Sequence, residues 1–303
     1  MLEELANILG KEAIKRFGDW LIQKLSGNKK AVEADSIPSR FIRLFEKHGV
    51  HRNQIPRFFG YGLSLADVAN SDVLLAKLTP EILQAASELF AVRMEWIECV
   101  DNQIYQTHNF YKRPEDYAEY LAKLVIGRKH HIFANVIIST YKLREEDALL
   151  ILEEPIGEIA DSDVIRYHLC GGWVSKYWKS RADLTACIAI TGNQSIFLKG
   201  RKVSSQINNY CEGKGFITDL YDLPLAIKRD WLFRRHYKPW HPDEWLYNPR
   251  DYLDGVDEGI FGKASALDRW LYHYDKGNLQ TITCRPSNRP AFAALLEEYR
   301  QAR

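Results

Sequence analysis

Apolar residues change their spacing near Gly127, and that change limits the fold more than any other feature. Before it they recur at intervals of three and four, the pattern of helices that each bury one face. After it, HIFANVIISTY (131–141), DVIRYHL (163–169), DLTACIAI (183–190) and QSIFLKGRKV (194–203) have strand character, with glycine-containing turns between them. REEDALLILEE (144–154) reads as a helix closed by Pro155. Helices first and strands later predict a multidomain α+β protein, with an all-α N-terminal part, a central small α/β module and a mostly helical C-terminal region.

The 303 residues leave room for two or three cores. The expected divisions are an amphipathic helix in 1–30, a helical domain over 36–104, an α/β sensor or assembly domain over 105–205, and the C-terminal region over 206–303. In the first of these, Leu2, Leu5, Ile8, Leu9, Ile14, Phe17, Leu21 and Leu25 fall near one helix face, and SGNKK (26–30) supplies the stop. Gly10 and Gly18 weaken that helix, so packing must hold it. Pro114 opens another helix, with Glu115 and Asp116 placed well for its dipole. KASALDRWLYHYDKG (263–277) and RPAFAALLEEYRQAR (289–303) are helices, whereas Pro224, Pro239, Pro242 and Pro249 break the stretch before them.

Lys and Arg total 41 against 40 Asp and Glu, which excludes a chain coated all over with nucleic acid but leaves room for a local basic face. Cys99, Cys170, Cys187, Cys211 and Cys284 are dispersed and form no C-x-x-C pair, as expected for reduced thiols in the cytoplasm. The first residues lack the basic flank and apolar core of a signal peptide, and no run reaches the roughly 18 apolar residues of a membrane span. A cytoplasmic location away from membranes is the expectation.

The stretch from 37 to 97 is the most specific. Ser39 is placed to cap a helix with Phe41, Ile42 and Phe45 on its apolar face, ending at Gly49. In VHRNQIPRFFG (50–60), Val50, Ile55 and Phe59 take buried positions and Gly60 the turn. Thr79 and Glu81 then open a helix with Ile82, Leu83, Ala86, Leu89 and Phe90 on one face and the small residue Ser87 beside them, and AVRMEWI (91–97) anchors Val92 and Ile97. This order resembles the helix-turn-helix of Cro- and lambda-repressor-like (XRE-type) DNA-binding domains.

The resemblance implies major-groove contact by the segment 61–74, with double-stranded DNA as partner, and a homodimer on two half-sites. Ser64 or Asn70 would contact base edges. His51, Arg52 and Arg57 would contact phosphates, with Arg40 and Arg43 as further phosphate contacts, and Asn53 and Tyr61 complete the DNA-binding set. Two features depart from the pattern. Pro56 stands inside the second helix, and YGLSLADVANSDVL (61–74) carries Asp67 and Asp72 with no Lys or Arg. Carboxylates there oppose a phosphate backbone unless they point elsewhere.

Elsewhere the signals are weaker. KRDWLFRRHYKPWHPDEW (228–245) interleaves Lys228, Arg229, Arg234, Arg235 and Lys238 with aromatic residues, as a second nucleic-acid or anion surface would, or a helix with a buried aromatic stripe. Trp173, Tyr177, Trp178, Lys179 and Arg181 either line a ligand or partner pocket or pack across two strands. The pair His130 and His131 and the tripeptide Trp240–Pro242 lack metal-ligand spacing. Cys170 in CGG reads as a residue of a β-turn, and no catalytic motif or cofactor signature stands out. The reading is a DNA-binding regulator with a signal-sensing or oligomerising region. The alternatives are a scaffold that keeps the helical fold without binding DNA, and an enzyme of unrecognised type in the C-terminal half.

Overall fold

The computed structural model describes residues 35–126, 131–141, 146–223, 240–281 and 286–302. The helix expected in 1–30 and the basic–aromatic residues 228–238 lie outside these. The described residues form 14 α-helices and one five-stranded mixed sheet. Six short helices come first: α1 (Ile37–Lys47), α2 (Ile55–Phe58), α3 (Leu65–Ala69), α4 (Ser71–Lys77), α5 (Pro80–Phe90) and α6 (Met94–Ile97). Then follow β1 (Thr107–Asn109), α7 (Pro114–Val125), β2 (Phe133–Ser139), β3 (Ala148–Ile159), β4 (Ser162–Trp173), α8 (Trp178–Asn193) and β5 (Phe197–Val203). Six helices close the chain: α9 (Asn208–Cys211), α10 (Ile217–Tyr221), α11 (Glu244–Tyr247), α12 (Pro249–Leu253), α13 (Gly259–Asp275) and α14 (Arg289–Gln301). No helix among the described residues is long and apolar enough to cross a membrane.

The strand order is β1-β4-β3-β2-β5, with β3 antiparallel to both neighbours and the outer pairs parallel. Helices cover both faces. Ala134, Val136, Ile138, Leu150 and Leu152 point into a core shared with α7, α8, α13 and α14. Ile137, Leu149, Ile151, Leu169 and Val203 point the other way, into a core shared with α1–α6, α9 and α10. Alternate residues of one strand therefore enter different cores, and the strand reads as an unbroken apolar run.

That double burial overturns two sequence expectations. Residues 148–159 are strand β3, where a helix over 144–154 was expected, because a continuous apolar run carries no period to separate the two. Pro155 lies within β3 at a register shift, beyond the last residue that pairs with β2, so no ladder bond is lost on that side. Conversely, 183–190 belongs to helix α8, where a strand was expected. Every residue from Ser180 to Ala189 is buried, so α8 shows no polar face from which a helical period could be read. Beyond the sheet, β3 and β4 continue as a two-stranded ribbon whose turn, Ala160–Asp161, has φ of 48° and 63°, the backbone of a tight two-residue hairpin.

His48, at the end of α1, sits where the helical segment meets the sheet. It is 4% exposed, and its ring lies 4.4 Å from Phe90, 5.6 Å from Tyr167 and 6.1 Å from Tyr105. Nδ1 is 2.7 Å from the Leu44 carbonyl, which can only accept, so Nδ1 carries the proton. Nε2 is then free to accept from the Tyr105 hydroxyl at 3.3 Å. Burial lowers the His48 pKa from the usual 6.5 to about 4. The unfolded chain therefore takes up a proton that the folded chain refuses, so stability is complete above pH 6.5 and falls towards pH 4. His48 should account for up to roughly 3 kcal/mol of that loss. Urea titrations across the window should show a smaller slope of stability against pH for His48→Gln than for wild type, and parallel curves would refute the assignment.

Candidate nucleic-acid interface

Helix α1 starts one turn earlier than Ser39 would set it. Ser36 is the cap, and Ser39 completes a capping box by accepting from the Ser36 N–H at 2.9 Å. Phe45 is the centre of the aromatic core behind this helix, with Phe41, Phe59 and Phe90 rings at 5.0, 5.2 and 5.0 Å. Val50 and Ile55 are fully buried as expected, while Phe59 is half-buried and stacks on Tyr61 at 4.5 Å. The turn after α2 runs through Gly60, Tyr61 and Gly62, all with positive φ (80°, 54° and 69°). Glycine carries two of these three positions without steric cost, and Tyr61 is held in the third by its ring contact.

The segment 61–74 is two short helices where one recognition helix was expected. Ser64 caps α3 by accepting from the Asp67 N–H, and the Asp67 carboxylate turns back to accept from the Ser64 N–H at 2.8 Å and hydroxyl at 2.7 Å. These bonds hold the Asp67 carboxyl below its usual range. One of the two acidic groups that opposed DNA contact is thus occupied within its own helix. Asn70 ends α3 in an extended conformation and caps α4, accepting from the N–H groups of Asp72 at 2.9 Å and Val73 at 3.2 Å. Asp72 stays exposed.

Around this turn His51, Asn53, Arg57, Tyr61, Ser64 and Asn70 are exposed, and Arg52 is half-buried. The His51 ring accepts from the Asn53 N–H at 3.2 Å, so part of its capacity goes to ordering the chain before α2. The exposed surface also holds large apolar side chains: Tyr61 58%, Leu65 60%, Val73 42% and Leu75 51%. Lys77 is the one cation on α3 and α4.

Arg40 is buried and does not face a phosphate backbone, against the sequence expectation. It is 4% exposed, and Nη1 donates to the carbonyls of Trp96 at 2.6 Å and Asp101 at 2.7 Å. Its fork also grips Asp35, whose carboxyl this bond holds below its usual range. Arg40 joins α1 to the end of α6. Arg43 remains on the surface, 3.3 Å from Asp35.

The other sequence candidates are dispersed. Trp173 ends β4 in the core, and Arg181 is buried in the first turn of α8. Tyr177, Trp178 and Lys179 are half-buried beside them. Cys170 lies inside β4 where a turn was expected, and burial pushes its thiol far up, away from nucleophilic use. Among the described residues no group of three or more His, Cys, Asp or Glu is placed to hold a metal ion.

A further cleft lies between the α5–α6 turn and the β1 edge of the sheet, with a volume of about 580 Å³. Arg93, Gln103, His108, Tyr167 and His168 line it. Behind it the buried Glu154 lies 2.9 Å from His168 Nε2 and 3.3 Å from Arg166, and Arg166 Nε donates to the Leu89 carbonyl at 2.7 Å. Burial, followed by the charge of His168, lowers the pKa of His108. The only sequence trace was His168 in a strand of alternating character.

Arg40→Ala should cost about 2 kcal/mol through the lost charged hydrogen bonds, while Arg43→Ala changes stability by less than about 0.5 kcal/mol. Equal losses in chemical denaturation would refute the division of roles. No family model, curated protein or solved structure matches the chain.

Proposed function

We propose that the chain is a DNA-binding regulator whose helical segment contacts duplex DNA. The observation that carries this reading is the division of that segment into two sides. Its inner side is buried against the sheet. The residues that the helix-turn-helix resemblance assigns to DNA, His51, Asn53, Arg57, Tyr61, Ser64 and Asn70, are exposed. Arg57 and the half-buried Arg52 supply phosphate anchoring, and the Ser64 and Asn70 side chains face base edges. The protein acts as a homodimer on paired half-sites. A small polar effector enters the cleft between Arg93 and His108, where it touches both the helical segment and the sheet, and so shifts the spacing of the two reading heads.

One observation favours a second reading. Tyr61, Leu65, Val73 and Leu75 are exposed with Asp72 among them, a composition better matched to a protein partner than to phosphate. In that case the same face is a scaffold surface and DNA is not bound.

Fluorescence polarisation with mixed duplex fragments separates the two. Salt-sensitive binding that Arg52→Ala, Arg57→Ala weakens by about tenfold or more supports DNA contact. No binding at low salt, together with a change of oligomeric state on Leu65→Ser, Val73→Ser, supports the protein-contact reading and ends the first.

A further inference from the structure

β5 is the outer strand of the sheet, and the face it shares with β2 is incompletely covered. Ile137, at one end of that face, is fully buried, but Phe133 and Phe197 at the other end are 38% and 61% exposed. Phe133 and Phe197 are direct partners in the β2–β5 ladder, so both side chains leave the same face of the sheet. Tyr221, at the end of α10, lies across the middle. Its hydroxyl donates to Glu153, its carbonyl accepts from Arg201 Nη2 at 2.7 Å, and the guanidinium sits 5.3 Å above its ring.

Between Tyr221 and the exposed phenylalanines is a cleft of about 420 Å³, lined by Asn135, Glu153, Phe197, Lys199, Arg201 and His241. Two of these side chains are not accounted for by the fold. Asn135 is 7% exposed, yet its amide has no hydrogen-bond partner among the described residues and opens onto the cleft. The amide atoms reach solvent through the cleft, so water or a polar ligand can satisfy them there. Lys199 is the direct ladder partner of Asn135 and has no carboxylate within ion-pair distance among the described residues, its Nζ lying 5.8 Å from the Phe197 ring centre.

The cleft thus brings together an aromatic face, an amide that can donate and accept at once, and an uncompensated cation. Aromatic faces stack on nucleobases, an asparagine amide pairs with a base edge, and lysine meets phosphate. The volume falls in the range of small-molecule sites, roughly 300–1,000 Å³. A purely apolar ligand would leave Asn135 and Lys199 unpaired. An added strand is disfavoured because Trp240 already bridges Gly200 on the outer edge of β5.

We propose that this cleft binds a nucleotide, with the base stacked on Phe197, its edge read by Asn135 and its phosphate held by Lys199. The site is separate from the α2–α4 face and does not rest on the helix-turn-helix reading. The shared chemistry is a base carrying a phosphate, found either in a free nucleotide or in a single strand.

The test uses the full chain with fluorescent methylanthraniloyl derivatives of AMP and GMP and a short labelled oligothymidylate, read by polarisation. At least one probe should bind. Phe197→Ala and Lys199→Glu, both surface changes, should each weaken that binding by about tenfold, and Arg57→Ala should leave it unchanged. Binding of the mononucleotides assigns the site to a free nucleotide. Binding of the oligothymidylate without competition from AMP or GMP assigns it to a single strand. Asn135→Ala should change the preference between AMP and GMP while leaving the melting temperature equal to or above that of wild type, which a structural amide would not do. The proposal is overturned if no probe binds at millimolar concentration, or if Phe197→Ala and Lys199→Glu leave the binding intact.

Discussion

The contact on which the rest of the molecule depends is the burial of one neutral imidazole between two halves that would otherwise be separate. His48 closes α1, yet its ring is packed by Phe90 of the helical segment, Tyr105 of the connection and Tyr167 of β4. Its two nitrogens are used in opposite senses, one donating within α1 and the other accepting from Tyr105. The helical segment and the sheet therefore share one core rather than two cores in contact. Gly213 extends the join, because its carbonyl accepts from the N–H groups of Ile104 at 2.8 Å and Tyr105 at 3.0 Å, drawing the chain after β5 into the same layer.

Two buried arginines fasten other joints by a common device. Arg40 collects the carbonyls of Trp96 and Asp101, and Arg181 collects those of Ser175, Tyr252 and Asp254 while lying 4.2 Å above the Trp245 ring. Burial lowers the Arg181 pKa to about 10, so it stays charged at neutral pH. Each guanidinium offers donors in a fixed planar fork, which suits several carbonyls at once. A lysine in either place would meet fewer of them and would lose its proton more readily under burial.

What the sequence revealed follows from how local each signal is. Thr79, Pro114 and Pro290 mark helix starts through bonds or constraints within the next few residues, and all three lie at the starts of helices in the structure. Gly49 has the positive φ expected of a residue closing α1. β3 and α8 were misread because both are buried on every side, which erases the period that distinguishes strand from helix. At the candidate interface, the exposure of His51, Asn53 and Arg57 could be read from the apolar positions flanking them. The burial of Arg40 could not, since its partners Trp96 and Asp101 lie 56 and 61 residues away. Asn135 was equally illegible: an amide within an apolar strand gives no sign of whether the fold provides it with a partner.

The β3–β4 ribbon has a consequence for how any polyanion could approach. Near its tip, Gly157 lies against the Phe58 ring of α2, so the ribbon stands beside the very turn that carries Arg57. Its end bears Glu158, Asp161 and Asp163, all exposed. This is a fence of like charge on one flank of α2, stiffened by the two-residue turn. Any polyanion approaching Arg57 would be repelled from that flank, by a strand hairpin that belongs to the sheet and not to the helices it stands beside.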